Sequence, residues 1–410
     1  MKSAILSVGT ELLFGQIINT NTAYLSQQLN FLGIDVMYHY TVGDNPERLE
    51  EMIKMAFEDC DLVITTGGLG PTQDDMTKEI ACKTLKDELV LHEESMAQLE
   101  EMFAKLGRPM TENNRKQAYM PSRAVVFDND AGTAPGFALE HEGKIIACLP
   151  GPPREMTRMF ERRLKPYLES LSEDCIYYRM IRLFGIGESQ LETDLLPLID
   201  GQTDPTIATY AKEGECALRI ASKRKTMEEA KAAVDSMLQQ VKSYVGEYIY
   251  SCDDEELVNV VANKLMERNI SISSAESCTG GLFAAGMTDI SGISQVFDRG
   301  IVTYSNEAKM QELGVKKATL EKYGAVSEET AREMAEGLHR VSGSDFCISV
   351  TGIAGPGGGS PEKPVGTVYV GAHYNGETHC KKLQIRNVNR KYIRSVTVLN
   401  MLDMVNKIIG

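Results

Sequence analysis

The sequence lacks several features that define broad classes of protein. Its 410 residues contain no apolar segment long enough to span a bilayer, and the apolar run at the N-terminus is short and is broken by Gly9 and Glu11. The nine cysteines include no C-x-x-C pair, and the six histidines form no H-E-x-x-H or similar cluster. These absences predict a cytoplasmic protein without a signal peptide, a membrane span, disulfide bonds or a zinc site.

Basic residues are also fewer than acidic ones. The chain has 43 Lys and Arg against 58 Asp and Glu, which gives a formal net charge of −15. Binding to nucleic acid independently of its base sequence needs a basic surface, so this balance argues against such a partner. The remaining composition is typical of a globular protein, with 42% hydrophobic and 25% charged residues, and the length predicts two to four domains.

One segment of the C-terminal half, residues 274–281 with the sequence SAESCTGG, combines a turn with three adjacent nucleophiles. It follows a β-rich run over residues 270–274 and precedes a helix-like run over residues 282–287, which predicts a strand-to-helix turn. Such a turn exposes side chains at the carboxyl end of a sheet, beside the free N–H groups of the next helix. The three nucleophiles are Ser277, Cys278 and Thr279.

Two glycines complete this turn. Gly280 and Gly281 allow a ligand to approach the backbone, and their N–H groups are candidates to stabilise an oxyanion. The alternative is an ordinary connection in which a serine or threonine caps the helix. Short Ser/Gly motifs occur in both settings, so this segment alone does not decide between the two interpretations.

A second glycine-rich loop occupies residues 65–75 of the N-terminal half. Before it, predicted strands over residues 3–8, 36–42 and 61–65 alternate with helices, which favours a parallel sheet with helices on both faces. The loop follows the third strand and precedes a predicted helix over residues 76–83. It is therefore expected at the carboxyl edge of the sheet, where ligands of such folds bind.

Candidate ligand groups in and near this loop are of two kinds. Backbone N–H groups, the Thr72 hydroxyl and Arg154 can bind phosphate oxygens. Asp74 and Asp75 supply the hard oxygen ligands that Mg²⁺ prefers together with substrate phosphates. The alternative is a flexible turn with a capping aspartate. The candidate residues for nucleotide and phosphate are Gly67, Gly68, Gly70, Thr72 and Arg154.

The order of motifs along the chain resembles the CinA family. Three segments are similar to the molybdopterin-binding fold of the family's N-terminal domain: residues 9–12, 67–75 and 150–156. The AESCTGG motif is similar to the family's C-terminal domain. So are three further segments: residues 299–309, 324–327 and 352–356. The resemblance covers nearly the whole chain.

The resemblance implies a cytoplasmic homodimer that acts on small-molecule nucleotides. Its expected fold is α/β, with two open α/β-sheet domains over residues 1–170 and 251–410, joined by a small KH-like α+β module over residues 171–250. The C-terminal domain is expected to be a nicotinamide-nucleotide amidase that requires no cofactor. The N-terminal domain is expected to be an ADP-ribose pyrophosphatase that uses Mg²⁺ or a similar divalent metal.

The middle module is predicted to have the β-α-β-β-α order that resembles a KH domain. The G-x-x-G loop with which KH domains clamp nucleic acid is absent, because the chain reads Gly185-Ile186-Gly187-Glu188 after the first strand. We therefore expect this module to have a structural or dimer-contact role.

Amide hydrolysis requires a nucleophile, a base and an oxyanion site. No histidine lies close in sequence to the loops described above, so a Ser–His–Asp triad is not indicated. Together with the resemblance, this makes Ser277 the expected nucleophile and Lys309 the expected base, provided that burial or a neighbouring cation lowers the pKa of the lysine. Tyr304 and Thr351 are the expected polar partners.

Contacts to the substrate are expected around the same turn. Arg299 is a candidate partner for the substrate phosphate, and Glu276 for its cationic ring. The expected substrate-contacting residues are Glu276, Cys278, Thr279, Gly280, Gly281, Arg299, Gly352 and Gly355. Two other functional classes stay open: a regulatory or scaffold protein linked to competence or DNA damage, and an N-terminal domain that binds a pterin or nucleotide without hydrolysing it.

Overall fold

The computed structural model describes residues 1–171 and 174–410, but of Cys175 it describes only the backbone. The chain forms two compact units, one made of residues 1–176 and 223–230 and the other of residues 177–222 and 231–410. Among the described residues, no helix is both long and apolar enough to cross a membrane.

The N-terminal unit is built on a six-stranded sheet. Its strand order is β2-β1-β3-β8-β7-β6, and a separate two-stranded sheet pairs β4 with β5. The strands are β1 Lys2–Val8, β2 Asp35–Val42, β3 Leu62–Thr66, β4 Leu89–Leu91, β5 Tyr119–Pro121, β6 Val125–Phe127, β7 Gly136–His141 and β8 Lys144–Leu149. The strands β2, β1, β3 and β8 are parallel, but β7 and β6 run antiparallel to their neighbours. The sheet is therefore mixed, and the prediction of a parallel sheet is wrong at this edge, because β7 and β8 are joined by a tight hairpin.

Helices cover both faces of this sheet, as the alternating pattern predicted. They are α1 Thr10–Leu13, α2 Thr20–Phe31, α3 Pro46–Asp59, α4 Thr77–Thr84, α5 Glu93–Lys105, α6 Glu112–Arg115, α7 Pro153–Met159 and α8 Lys165–Ser170. A 3₁₀ turn spans Lys116–Ala118, and a π-helical turn over Phe160–Leu164 joins the last two helices. Two apolar clusters form the core, one on each face of the sheet.

The middle module has the predicted β-α-β-β-α order. Its elements are β9 Cys175–Leu183, α9 Glu188–Ile199, β10 Thr206–Lys212, β11 Glu215–Arg224, α10 Met227–Val245 and β12 Ile249–Ser251, with a 3₁₀ turn over Gly246–Tyr248. The short strand β12 joins the edge of the sheet, giving the order β10-β11-β9-β12. Apolar side chains from both helices and from three of the strands form one core.

The C-terminal domain is built on a five-stranded sheet of order β14-β13-β15-β16-β17. The strands are β13 Ile272–Glu276, β14 Phe297–Val302, β15 Phe346–Gly352, β16 Thr367–Tyr374 and β17 Glu377–Gln384. The first three are parallel, and the last two are antiparallel to their neighbours. The helices are α11 Leu257–Arg268, α12 Leu282–Thr288, α13 Asn306–Leu313, α14 Lys317–Tyr323, α15 Glu328–Ser342 and α16 Arg390–Ile409, with a 3₁₀ turn over Ile293–Gln295.

The parallel pairing of β14, β13 and β15 brings their carboxyl ends to one edge of the sheet. In register, Glu276 lies opposite Val302 on one side and Val350 on the other. The loops that continue from these strand ends therefore leave the sheet side by side, as predicted for open α/β folds. The C-terminal site is formed at this edge.

Candidate active sites

Ser277 is the first residue after β13 and lies between two neighbouring strand ends. Its backbone N–H donates to the carbonyl of Val350, 3.1 Å away, while the N–H of Thr303 donates to the carbonyl of Glu276 at 2.9 Å. These bonds extend the sheet past the end of β13 and hold the serine backbone in place. Its hydroxyl Oγ lies 3.1 Å from Lys309 Nζ.

Lys309 reaches the serine from helix α13, which Ser305 caps by accepting the N–H of Ala308. The lysine side chain is only 1% exposed. Its Nζ donates to the carbonyls of Thr303 and Tyr304, at 2.7 and 3.5 Å. Burial lowers the pKa of Lys309 from its ordinary value to about 8.

This environment suits a lysine that acts as a base. A neutral amine has two N–H donors and one lone pair. The two carbonyls can accept both donors, which leaves the lone pair for the Ser277 hydroxyl. The predicted condition, a lysine pKa lowered toward neutrality, is met through burial.

Cys278 follows the serine but is placed in a different environment. Its side chain belongs to the apolar core and is 5% exposed. Burial raises the pKa of the thiol to about 11. Because only the thiolate is strongly nucleophilic, burial disfavours this cysteine as a nucleophile at neutral pH.

Glu276 has a structural contact that its predicted role did not include. Its buried carboxylate accepts the N–H groups of Gly281, Phe283 and Ala284, at 3.0, 3.2 and 3.0 Å. These are the free donors of the first turn of α12, so Glu276 caps this helix and complements its dipole. A carboxylate engaged in this way is not available to a substrate ring, and the structure gives no support to that expectation.

The same bonds change the expected role of the two glycines. The N–H of Gly281 is taken by Glu276, and the N–H of Gly280 donates to the carbonyl of Ser277 at 3.1 Å. Gly281 has a φ of 92°, a left-handed conformation that favours glycine. These glycines therefore shape the turn, and their own N–H groups donate within the protein, so donors to an oxyanion would be other N–H groups near them.

The expected polar partners lie in two different settings. Tyr304 is 62% exposed, and its hydroxyl accepts from Arg390 at 3.0 Å, so it does not bury Lys309. Its carbonyl, not its ring, faces the lysine amine. Thr351 is buried at the end of β15, where its hydroxyl donates to the carbonyl of Ala325 at 2.7 Å.

The remaining predicted residues are distributed along the sheet. Arg299 lies within β14 opposite Ser273, which is four positions before Ser277, and it contacts Asp298 and the carbonyl of Val341. The structure does not bring it to the carboxyl edge, so the expected phosphate contact is not supported.

Three further residues lie at that edge. Gly352 ends β15, and Gly355 follows in the next loop, where its carbonyl accepts from Arg390 at 2.7 Å. Thr279 is buried beside the nucleophile, and its hydroxyl has no protein hydrogen-bond partner among the described residues.

The N-terminal unit contains a cavity of about 560 Å³ at the carboxyl edge of its parallel strands. The glycine-rich loop forms one wall, with Gly67, Gly68, Gly70, Asp74 and Asp75 among the lining residues. Gly67 has a φ of 106°, and its N–H donates to the carbonyl of Leu149, so this N–H is not open to an anion as expected.

Two predicted residues of the N-terminal site lie outside the cavity lining. Thr72 donates from its N–H and its hydroxyl to Asp75 Oδ2, the former at 2.9 Å, and so shapes the loop. Arg154 is exposed on the first turn of α7, whereas the next residue, Glu155, lines the cavity. The side chain after the predicted one therefore faces inward, and the phosphate role of Arg154 is not supported.

The fit of a divalent metal follows from the donors present. Among residues 1–171 and 174–410 there is no cluster of three or more His, Cys, Asp or Glu that could hold a metal ion by itself. Asp74 and Asp75 nevertheless supply two adjacent carboxylates at the cavity wall. Such a pair fits Mg²⁺ that arrives with substrate phosphates, because this ion keeps several waters and needs one or two protein carboxylates.

Comparison with known proteins covers all three parts of the chain. Three family models match the chain. Residues 4–170 match the model described as "Probable molybdopterin binding domain", residues 178–251 match "Damage-inducible protein CinA KH domain", and residues 254–409 match "CinA C-terminal domain". A relative from Acetivibrio thermocellus that is named as a competence-damage inducible protein is 52% identical over 407 residues. The match covers 99% of this chain and 98% of the relative. The chain belongs to the CinA family.

Two further proteins are similar to the chain, one over its whole length and one over part of it. A "CinA-like protein" of Dictyoglomus turgidum is 49% identical over 407 residues, covering 99% of both chains. The crystal structure of the competence/damage inducible protein CihA from Agrobacterium tumefaciens covers 36% of this chain and 90% of its own, with 45% identity and a TM-score of 0.36. The predicted family and its three-part order, including the KH module, are confirmed.

Two arginines of this CinA-family chain were not predicted as site residues. Arg390 links the Tyr304 hydroxyl to the carbonyl of Gly355, and Arg394 donates to the carbonyl of Thr279 at 2.6 Å. Both lie on one face of the first turns of α16, four positions apart. One feature of the sequence could have indicated them. Cations at a helix N-terminus interact unfavourably with the helix dipole, so two arginines at this position indicate a further role.

Proposed function

We propose that the C-terminal domain hydrolyses the carboxamide of nicotinamide mononucleotide to nicotinate mononucleotide and ammonia. The observation that carries the proposal is the contact of 3.1 Å between Ser277 Oγ and the buried Nζ of Lys309. It supplies a nucleophile and an adjacent base whose pKa is lowered to about 8, which is the arrangement a Ser–Lys amidase needs.

The reaction divides into two halves. Ser277 Oγ attacks the carboxamide carbon while its proton passes to Lys309 Nζ. Lys309 then gives this proton to the amide nitrogen, the C–N bond breaks, and ammonia leaves an ester on Ser277. Water attacks the ester carbon with Lys309 as base, the C–Oγ bond breaks, and the serine regains its proton.

The negative charge that forms on the carboxamide oxygen needs N–H donors. Because Gly280 and Gly281 donate within the protein, we assign this role to the backbone N–H groups of Cys278 and Thr279. They belong to the turn directly after the nucleophile, the usual place for such donors. Arg394 supports the turn from the other side through its bond to the Thr279 carbonyl.

An ammonia-release assay on nicotinamide mononucleotide tests this proposal. We expect the purified chain to release ammonia, and we expect Ser277→Ala and Lys309→Met to abolish the release. Thr288→Ala is a matched control, because the Thr288 hydroxyl is exposed at the end of α12 and bonds only to its own helix. The competence-damage names of the relatives favour a second candidate, a regulatory or scaffold protein, for which none of the variants would change ammonia release.

For the N-terminal unit we propose a metal-dependent ADP-ribose pyrophosphatase. Water would cleave the phosphoanhydride bond and yield AMP and ribose 5-phosphate. The cavity of about 560 Å³ supports the proposal, because it is large enough for a nucleotide and carries Asp74 and Asp75 for a metal that binds the phosphates. Asp74→Asn is expected to abolish Mg²⁺-dependent AMP release and to leave ammonia release unchanged. AMP release that is insensitive to Asp74→Asn and to chelator would contradict it.

A further inference from the structure

Two residues that line the N-terminal cavity have a side-chain amide oxygen without a hydrogen-bond partner among the described residues. They are Asn21 Oδ1 and Gln117 Oε1. Both residues line the cavity, and their side chains are 8% and 1% exposed. A buried amide oxygen without a donor costs free energy, so such atoms point to a ligand group that donates.

The orientation of the Asn21 amide is fixed by its other contacts. Its Nδ2 donates to the carbonyl of Gly151 at 2.8 Å and to Thr66 Oγ1 at 2.9 Å. The Thr66 hydroxyl gives its own proton to the carbonyl of Pro150, so it can only accept from Asn21. A flipped amide would set its oxygen against these acceptors, and Oδ1 is therefore the atom that is left without a donor.

Gln117 is held in a similar way. Its Nε2 lies 3.2 Å from Thr133 Oγ1, which also lines the cavity. The backbone around it is fixed by Lys78, a buried lysine whose Nζ donates to the carbonyls of Lys116 and Gln117 at 2.8 and 3.4 Å. Both amides are thus held in place in residues that line the cavity, each with a buried oxygen that lacks a donor.

The charge of the cavity lining distinguishes the phosphates of a nucleotide from its nucleoside. Among the described residues that line it there is no Lys, Arg or His, but there are five carboxylates, those of Glu11, Asp44, Asp74, Asp75 and Glu155. Phosphate oxygens are anionic acceptors, so they cannot pair with amide oxygens and need a cation at the carboxylates. The nucleoside part carries the neutral donors that the amide oxygens require.

We propose that Asn21 and Gln117 are the residues that select the nucleoside of the N-terminal ligand, by accepting hydrogen bonds from its donor groups. This inference rests on the nucleotide activity proposed for this unit. The donors have two possible sources, the exocyclic amine of the base and the hydroxyls of the ribose. Both sources offer the same chemistry, and analogues that lack one donor at a time distinguish them.

Calorimetric binding of ADP with Mg²⁺ to the full chain tests the proposal. The comparison ligands are purine riboside 5′-diphosphate, which lacks the exocyclic amine, and 2′-deoxy-ADP and 3′-deoxy-ADP, which each lack one hydroxyl. The protein variants are Asn21→Ala and Gln117→Met, with Gln27→Met on the exposed face of α2 as control. A lost neutral hydrogen bond is worth a factor of about five to ten in affinity.

We expect at least one analogue to bind the wild-type chain about five- to tenfold more weakly than ADP does. The same analogue and ADP should bind alike to the variant that lacks the matching acceptor. Gln27→Met should preserve the wild-type preference. A merely structural role for the amides would weaken all four ligands equally and would leave the preference among them unchanged.

Three results would overturn the proposal: no binding of ADP by the wild-type chain, equal affinity for ADP and all analogues, or a preference that persists in both variants. The comparison among analogues uses the wild-type protein first, so it does not depend on the folding of any variant. AMP release from ADP-ribose is measured separately. A binding preference without AMP release would contradict the proposed hydrolysis and support the role of the two amides. AMP release without a binding preference would support the hydrolysis and contradict the role of the amides.

Discussion

Lys309 Nζ lies 3.1 Å from Ser277 Oγ, although the two residues are 32 positions apart in the sequence. The contact depends on two elements that meet at the carboxyl edge of the sheet, the end of β13 and the start of α13. The lysine amine also contacts the carbonyls of Thr303 and Tyr304, so it is fixed from both sides.

The amidase rate should depend on pH through Lys309. Only the neutral amine can take the serine proton, and with a pKa of about 8 roughly a tenth of the lysine is neutral at pH 7. We expect kcat/KM to rise about tenfold per pH unit below this pKa and to level off above it. Lys309→Arg should be inactive at all these pH values, because arginine keeps its proton. A Lys309→Arg chain with near-normal kcat would remove the lysine from the base role.

The buried lysine should also make the stability of the protein dependent on pH. The unfolded chain keeps the lysine proton up to about pH 10.5, whereas the folded chain releases it near pH 8. The unfolded state therefore binds more protons in this window, and the free energy of unfolding rises with pH by about 3 kcal/mol in total. Lys309→Met should lose this rise relative to wild type in urea unfolding at pH 7 and pH 10. Ser277→Ala keeps the lysine and should retain the rise; equal pH dependence of all three proteins would contradict the burial argument.

Cys278 should be dispensable for catalysis. Its thiol is buried and stays protonated at neutral pH because its pKa is raised to about 11. We expect Cys278→Ala to retain most of the ammonia release, with a loss of stability of about 1 kcal/mol from the small cavity that it leaves. A maleimide reagent should label partly exposed cysteines such as Cys252 and Cys380 without inhibiting the enzyme. Inhibition that disappears in Cys278→Ala would instead identify this thiol as part of the reaction.

Glu276→Gln should destabilise the fold more than it weakens substrate binding. The substitution removes the negative charge of the carboxylate that accepts three N–H groups at the start of α12. We expect the free energy of unfolding to fall by about 1–2 kcal/mol. Because the turn after Ser277 loses its support, kcat should fall while KM changes little. Glu192→Gln, at an exposed position in the middle of α9, is the control and should leave both stability and kinetics unchanged. A rise in KM without loss of stability would restore the predicted contact with the substrate.

The sequence predicted most elements of the C-terminal domain because their patterns are local. The long helix α16 and the strands β13 and β15 have apolar periods and flanking turns that identify them. The short helices α13 and α14 were not predicted, because their positions depend on packing against α15 and not on a strong pattern of their own. The antiparallel edge of the N-terminal sheet has a different cause, because β6, β7 and β8 pair through short connections that depart from the strand–helix alternation of the first half of the chain.

The candidate site was predictable in its residues but not in its hydrogen bonds. Ser277 and Lys309 lie together as the motifs indicated. The sequence does not reveal that Glu276 turns back to cap α12, since a carboxylate beside a nucleophile is equally compatible with a substrate contact. Arg394 was missed for the same reason, because its contact with the turn depends on where the last helix crosses the sheet edge.

The cap formed by Glu276 also decides which parts of the site can move. Three bonds tie the end of β13 to the start of α12, and two more tie Ser277 and Thr303 to neighbouring strands, so the nucleophile belongs to a rigid body. Tyr304 and Gly355 are linked differently, through the side chain of Arg390, which donates to the exposed Tyr304 hydroxyl and to the Gly355 carbonyl. Under the proposed amidase activity, we expect a substrate to displace these arginine contacts while the geometry around Ser277 stays unchanged.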